Sequence, residues 1–346
     1  MSQLKQQTSD PRPRRVAIVS APSSAAAYAP GQEQAPAALR AAGLLRRLEA
    51  AGLSVREAGE GPFFRWQPDP GDPRAQNRAR ARDSILRAAA ASRKALRNGD
   101  FVLLLGGDCT HHLGLLSAVV EVAGGAGSIY LDLHGDLNTP ESTVDGSLDW
   151  MGLAHALALP GTTKELREIG PRSPLIEPTD LCLLGLLESD ATEWERARIR
   201  EDGIGFVPRS RLQADPQGAA RQAIARVNHE RHLVVHFDVD AVDFNDAPLS
   251  EHPGRGKGVT LDAALQALGV LLRDPRVRGL SIGELNPDHG AADGSTLARL
   301  VEGLGEALGG ILTHERIDGF ERVERSEGLE KPDVTEGPQR TARLEA

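Results

Sequence analysis

The sequence has few aromatic residues, few cysteines and no long apolar segment. Phe, Trp and Tyr make up 3% of its 346 residues, too few for a surface that stacks on nucleic-acid bases. Two cysteines, Cys109 and Cys182, cannot form a disulfide framework, which favours a reducing cytoplasm. No apolar run approaches the ~18 residues of a membrane span, and the N-terminus lacks the apolar segment of a signal peptide. We therefore expect a cytoplasmic protein that binds neither membrane nor nucleic acid.

The charge and the hydrophobic content indicate a folded domain with two polar ends. The 40 Lys and Arg residues against 49 Asp and Glu residues give a net charge of −9, which disfavours a polyanionic partner. Hydrophobic residues make up 40% of the chain, enough for a substantial core. Polar residues 1–13 and charged residues 325–346 are predicted to be disordered tails on one domain over 14–324.

Short apolar runs alternate with helical patterns along this domain. Several runs are apolar on both faces, as in parallel sheets that helices cover on both sides. The predicted strands are 16–20, 53–56, 101–105, 129–133, 181–185, 204–207, 233–238 and 280–284, and Cys182 in the fifth is expected in the core. The predicted helices are 35–51, 77–98, 191–201, 217–228, 261–272 and 295–308. The alternation predicts an α/β fold, a three-layer αβα domain with a mainly parallel sheet of about eight strands.

Carboxylates and one histidine stand where three of these strands end, the edge at which parallel sheets bind ligands. They are Asp132, His134, Asp136, Asp238, Asp240 and Glu284. Two carboxylates ~4 Å apart repel by about 4 kcal/mol at an effective dielectric constant near 20, and a cation removes that cost. Alternation would keep the first three on one strand face. The Asp238-Val239-Asp240 motif alone could be a solvated loop or a helix cap. Together the motifs predict a site for one or two Mn²⁺-like ions.

These motifs resemble the ureohydrolase superfamily, which comprises arginase, agmatinase and formiminoglutamase. The matching segments span most of the chain: Gly106-Gly107-Asp108, Asp132-Leu133-His134-Gly135-Asp136, Asp238-Val239-Asp240 and Glu284-Leu285-Asn286-Pro287. The resemblance implies an arginase-like α/β fold and a metal-dependent hydrolase of a guanidino compound. Such an enzyme attacks the guanidinium carbon with metal-bound hydroxide and releases urea or a substituted urea. Relatives form trimers or hexamers, so a homo-oligomer is expected.

The resemblance also implies roles for the motif residues in metal binding. Asp132 and Asp238 would bridge two Mn²⁺ ions per chain. His134 and Asp240 would complete one site, and Asp136 would serve the other and take part in catalysis.

Four residues are expected to bind the substrate, again by resemblance. Glu284 would hold the guanidinium group through paired N–H bonds and count among the catalytic residues. Asn138, Thr143 and Asp190 would bind an amino-acid head group, which favours arginine, N-hydroxyarginine or a related guanidino acid. Asp190 could equally be the N-cap of the helix predicted from residue 191.

Three residues depart from the family pattern close to the reacting group. Cys109 stands where the family has a histidine, and its thiolate favours zinc or iron, so the first site could be weak, empty or filled by another metal. His111 could substitute for the missing imidazole, or be an exposed histidine at a helix start. Asp149 replaces the proton-shuttling histidine of arginase. It could act as an acid if burial beside Trp150 raises its pKa, or could grip a cationic substrate group.

The third departure is His252, which lies in the turn after the Asp238-Val239-Asp240 motif. It could carry protons in place of the missing shuttle, or be a solvent-exposed turn histidine. The departures also keep open a catalytically inactive member that binds or regulates, and more distantly a zinc hydrolase of acetylated amines.

Overall fold

The computed structural model describes residues 15–313, and these lie in one compact unit. The predicted tails over 1–13 and 325–346 lie outside the described residues, as do the last residues of the predicted domain, 314–324. No helix in the described part of the chain is long and apolar enough to cross a membrane.

Eight strands form one sheet in which every neighbouring pair is parallel. The strands are β1 Arg15–Ser20, β2 Ser54–Glu60, β3 Phe101–Leu105, β4 Ala126–Leu131, β5 Leu181–Leu186, β6 Gly205–Pro208, β7 His232–Asp238 and β8 Val277–Gly283. Their order across the sheet is β2-β1-β3-β8-β7-β4-β5-β6. The predicted fold class is confirmed, because helices cover the sheet on both sides and each predicted strand is present.

Eleven α-helices occur between residues 15 and 313. They are α1 Ala35–Ala41, α2 Leu44–Ala50, α3 Arg78–Arg97, α4 His112–Ala123, α5 Gly152–Ala156, α6 Lys164–Arg167, α7 Glu193–Glu201, α8 Arg209–Ala214, α9 Pro216–Arg226, α10 Leu261–Leu271 and α11 Ser295–Gly309. The prediction of a single helix over 35–51 was wrong. Gly43 adopts φ +91°, a left-handed conformation that glycine tolerates and that ends α1 before α2 begins.

The core lies in two layers, one on each face of the sheet. In β3, Leu103 and Leu105 belong to one apolar cluster, whereas Val102 and Leu104 belong to the other. This alternation follows from the two-residue period of a strand, and it explains why the central strands are apolar on both faces. Cys182 is fully buried in β5, as predicted for a core residue.

The central strands bring the acidic motifs together. Strands β3, β8, β7 and β4 are neighbours, so the chain segments that leave their carboxyl ends meet at one edge of the sheet. Strand β4 ends at Leu131, two residues before the predicted end. The motif from Asp132 to Asp136 is therefore a loop, and the expectation that its side chains share a strand face was wrong.

Candidate metal centre and cavity

The residues at this edge form three overlapping groups that could hold metal ions. The groups are Cys109–His236–Asp238, Cys109–Asp132–Asp136 and Asp132–His134–Asp240. Within each group the ligand atoms all lie within 4.8 Å of one another. All six residues predicted as metal ligands are thus brought together, and two groups share Asp132.

Local backbone bonds orient the acidic side chains of the centre. The backbone N–H of His134 donates to Asp132 Oδ1 at 2.5 Å, and that of Asp240 donates to Asp238 Oδ1 at 2.8 Å. His134 Nδ1 lies 2.9 Å from Asp240 Oδ2. Asp136 has φ +50°, an uncommon conformation for a residue with a side chain. Such strained positions concentrate at functional sites.

The electrostatics of the centre favour a cation. Burial, and then repulsion between the carboxylates, raises the pKa of Asp132 and Asp238 well above the usual range. Asp132 Oδ2 is buried and has no hydrogen-bond partner among the described residues. An oxygen atom that lacks a donor, inside a cluster of repelling carboxylates, is what a bound divalent ion would satisfy. The residues present therefore fit a metal site.

His134 and Asp240 form the charged pair of the centre. Burial alone would lower the pKa of His134, but Asp240 reverses this effect and brings it to about 10. Burial would raise the pKa of Asp240, and His134 keeps it below its usual value. Metal binding would replace the proton that these two side chains share.

His236 is a potential ligand that the sequence analysis missed. It lies in β7 two residues before Asp238, so both side chains leave the strand on the same face. Its Nε2 is 3.4 Å from Cys109 Sγ, and burial lowers its pKa well below the usual value. The two-residue spacing was available in the sequence, but the apolar run around His236 was interpreted only as a strand.

His111 is neither exposed nor a potential ligand in this structure. It is buried, its Nε2 lies 2.8 Å from Ser84 Oγ, and its Nδ1 lies 3.0 Å from the Asp108 carbonyl oxygen. It belongs to none of the ligand groups found within residues 15–313. The expected exposure was wrong, because the segment after β3 packs this histidine against Ser84 of α3.

The centre opens into a cavity of about 630 Å³. Its lining includes eight residues predicted for metal binding or catalysis, of which six are Cys109, His134, Asp136, Asp238, Asp240 and Glu284. Asp149, Asp190 and His252 also line it, so most of the predicted site residues face one space.

Two buried carboxyl groups, Asp149 and Glu284, meet in this cavity. They share a side-chain hydrogen bond, and Gln32 Nε2 donates to Glu284 Oε1 at 2.8 Å. Burial raises the pKa of Asp149 to about 7 and that of Glu284 well above its usual value. Glu284 also has φ +63°. The pair can hold a proton at neutral pH and release it to bind a cation.

The far side of the cavity carries a histidine and an ion pair. The His252 ring is half-buried and lies 5.3 Å from the His134 ring, and burial lowers its pKa. Lys257 Nζ lies 2.6 Å from Asp190 Oδ2. Asp190 is not a helix cap, because α7 begins at Glu193 and Thr192 caps it. Lys257 was missed by the sequence analysis, since no motif surrounds it.

Asn138 and Thr143 are two of the predicted substrate-binding residues. Both are buried, and neither is among the described residues that line the cavity. The Thr192 hydroxyl donates to Asn138 Oδ1 at 2.9 Å, and the Ser142 hydroxyl donates to the same oxygen at 3.2 Å. The structure therefore connects Asn138 to the start of α7 rather than to the cavity.

Comparison with known proteins identifies a family for this fold and site. The sequence profile of the arginase family matches residues 14–308. The chain is 30% identical over 279 residues to an arginase from Bacillus caldovelox, and the match covers 79% of this chain and 91% of the relative. It is 27% identical over 283 residues to arginase-1 from Homo sapiens, covering 80% and 86%. A solved structure of the B. caldovelox arginase superposes with a TM-score of 0.75 at 25% identity, covering 87% of this chain and 99% of that one.

Proposed function

Because this chain belongs to the arginase family, whose members are metal-dependent hydrolases of C–N bonds, we propose that it hydrolyses a small guanidino acid. The products would be an amine and urea, or a substituted urea when the guanidino group carries a substituent. One observation carries the proposal. Two ligand groups share Asp132 in a centre that opens into the cavity holding the buried pair Asp149 and Glu284.

The metal pair would be held by the residues of the three groups. Asp132, His134 and Asp240 offer carboxylate oxygen and imidazole nitrogen, which suit a hard ion such as Mn²⁺. Bound divalent ions would lower the pKa of a water molecule and so supply the nucleophile. The Tyr130 hydroxyl donates to Asp136 Oδ2 at 2.5 Å, which fixes the carboxylate and leaves its other oxygen to orient that water.

The carboxyl pair would bind the guanidinium group. A planar guanidinium donates parallel N–H bonds to a carboxylate, and Glu284 is held for this by Gln32. Arrival of a cation favours the ionised forms, so the proton shared by Asp149 and Glu284 would leave as substrate binds.

His252 is the proposed proton carrier. Its lowered pKa keeps the imidazole neutral at pH 7, so it can accept a proton and pass it to the leaving amine. Its position beside His134 in the cavity supports this role over that of a turn histidine in solvent.

The Lys257–Asp190 pair would recognise the head group of the substrate. An α-amino acid carries an ammonium and a carboxylate, which match Asp190 and Lys257 respectively. Substrate contacts from Asn138 and Thr143 stay predictions, and neither residue is among the described residues that line the cavity. Cytoplasmic location and a trimer or hexamer also stay predictions.

Urea release by the metal-loaded protein tests the function. We expect release from arginine or N-hydroxyarginine, and slower release from agmatine, which lacks the carboxylate. Lys257→Gln should raise KM for the guanidino acid by about tenfold, the effect of losing about 1.4 kcal/mol of a charge-assisted contact, and leave KM for agmatine unchanged. The comparison of the two substrates in one variant controls for folding.

Two outcomes would contradict parts of the proposal. Equal changes in KM for both substrates would contradict the role of Lys257 in binding the carboxylate. Binding of guanidino acids without release of urea, under any metal loading, would instead support an inactive binding protein.

A further inference from the structure

A histidine stands beneath the cysteine that replaces a family ligand. Cys109 Sγ, His236 and Asp238 form one of the three ligand groups, and all three side chains are buried. The Cys109 thiol donates to Asp238 Oδ2 at 2.7 Å, while His236 Nε2 lies 3.4 Å from the same sulfur atom. A sulfur, a nitrogen and a carboxylate oxygen thus converge from β7 and from the loop after β3.

The other ring nitrogen of His236 is held by a chain of hydrogen bonds. His236 Nδ1 lies 2.9 Å from Ser281 Oγ, which lies 3.0 Å from His112 Nδ1. His112 Nε2 lies 2.9 Å from Ser128 Oγ. When each donor in this chain points from His236 towards Ser128, the proton of His236 is on Nδ1. Its Nε2 then carries a free lone pair on the side of Cys109, as in metal sites where a second bond sets the tautomer.

The His236 ring is packed between neighbouring side chains and the backbone. The ring stacks on Tyr130, with centroids 4.3 Å apart and an angle of 24° between the planes. Gly283 lies against both Cys109 and His236, because a Cβ there would be 2.9 Å from Cys109 Sγ and 3.0 Å from His236 Cε1. The absence of a side chain at Gly283 makes room for the two potential ligands.

We propose that His236 is the imidazole ligand of the first metal site, which it forms with Cys109 and Asp238 beside the shared Asp132. The loop after β3 carries no histidine at the position of Cys109, and strand β7 would provide the imidazole through His236 instead. A sulfur and an imidazole among carboxylates favour a borderline divalent ion such as Zn²⁺ or Co²⁺ over Mn²⁺. The inference rests on the proposed metal pair but not on the proposed substrate.

Cobalt binding to the metal-free protein tests this assignment. We expect two Co²⁺ ions per chain and a thiolate-to-cobalt charge-transfer band that Cys109→Ser removes. His236→Gln, which keeps a polar side chain of similar reach, should weaken binding at the first site about tenfold or more and alter that band. His155→Gln is the matched control, since His155 is equally buried but bonds to Met151 and Thr163 instead and belongs to no ligand group in residues 15–313.

A proton NMR spectrum of the cobalt-loaded wild-type protein gives a second test that needs no variant. Coordination through Nε2 should produce a hyperfine-shifted Nδ1–H resonance that exchanges slowly, because that N–H is buried against Ser281. Absence of this resonance, or unchanged cobalt affinity and spectrum in His236→Gln, would overturn the assignment. Two ions with the expected signature but no urea release would leave it standing and defeat the proposed function.

Discussion

Asp149 and Glu284 illustrate how burial changes the chemistry of a side chain. An aspartate in water is ionised at neutral pH, but burial raises the pKa of Asp149 to about 7. The pair therefore begins protonated and becomes anionic when a cation binds. Burial thus supplies the raised pKa that would let Asp149 act as an acid near neutral pH.

Binding of an unhydrolysed guanidino ligand should strengthen as the pH rises through about 7. Below that value Asp149 is neutral and the cation must displace its proton, so affinity should fall by about tenfold for each further pH unit. Calorimetry in buffers of different ionisation enthalpy should detect release of a proton on binding at pH 6.

Asp149→Asn should flatten this pH dependence, whereas the control Asp145→Asn should retain it. Asp145 also lines the cavity, but it is exposed at the surface. A pH profile in Asp149→Asn identical to that of the wild type would assign the titration to another group.

Helix α7 supports the loop that carries the acidic motif. Thr192 Oγ1 accepts from the Glu195 backbone N–H at 3.1 Å, and the Glu195 carboxylate accepts from the Thr192 N–H at 2.9 Å. The same Thr192 hydroxyl donates to Asn138, and Trp194 Nε1 donates to the Leu137 carbonyl at 2.8 Å. The first turn of α7 thus both caps itself and anchors residues directly after the metal motif.

Thr192→Ala should lower the free energy of unfolding by about 1–2 kcal/mol, because it removes the helix cap and a partner of buried Asn138. Denaturant unfolding measures the change. Thr192→Ser keeps the hydroxyl and should recover most of the stability. An equal loss in both variants would show that the methyl group, not the hydroxyl, carries the effect.

The whole domain should depend on metal because its centre concentrates buried acids. Carboxylates that repel one another in the native state destabilise it, and a cation that binds only the folded chain stabilises it. The centre spans the loops after β3, β4 and β7, so a bound ion would connect segments that are distant in sequence.

Chelation should lower Tm, and re-addition of Mn²⁺ or Zn²⁺ should restore it. An ion at a hundred times its Kd adds about 2.7 kcal/mol for each site. Asp132→Asn, which removes the shared carboxylate, should lose this gain, and without metal it should be at least as stable as the metal-free wild type. Calorimetric scans with and without chelator measure the Tm of the wild type and of the variant. A wild-type Tm that does not change when metal is removed would contradict the proposed centre.

Much of the fold and the metal-binding acids could be predicted from local sequence patterns. Short apolar runs predicted all eight strands, and several of them are apolar on both faces because covered parallel strands need that pattern. The acids at the ends of three runs marked the edge where ligands bind. The break at Gly43 and helix α4 were missed, since a left-handed glycine and a mostly buried helix leave no amphipathic pattern.

Contacts between distant segments could not be predicted in this way. Gln32 supports Glu284 from 252 residues away, and Lys257 pairs with Asp190 from 67 residues away. In the sequence, His236 is one residue of a buried strand. Only the folded sheet brings Cys109, in the segment after β3, beside it. A side chain's own neighbours in sequence determine its strand or helix. Its chemistry depends on burial and on the charges that other strands bring to within a few ångströms, and only the folded sheet sets those.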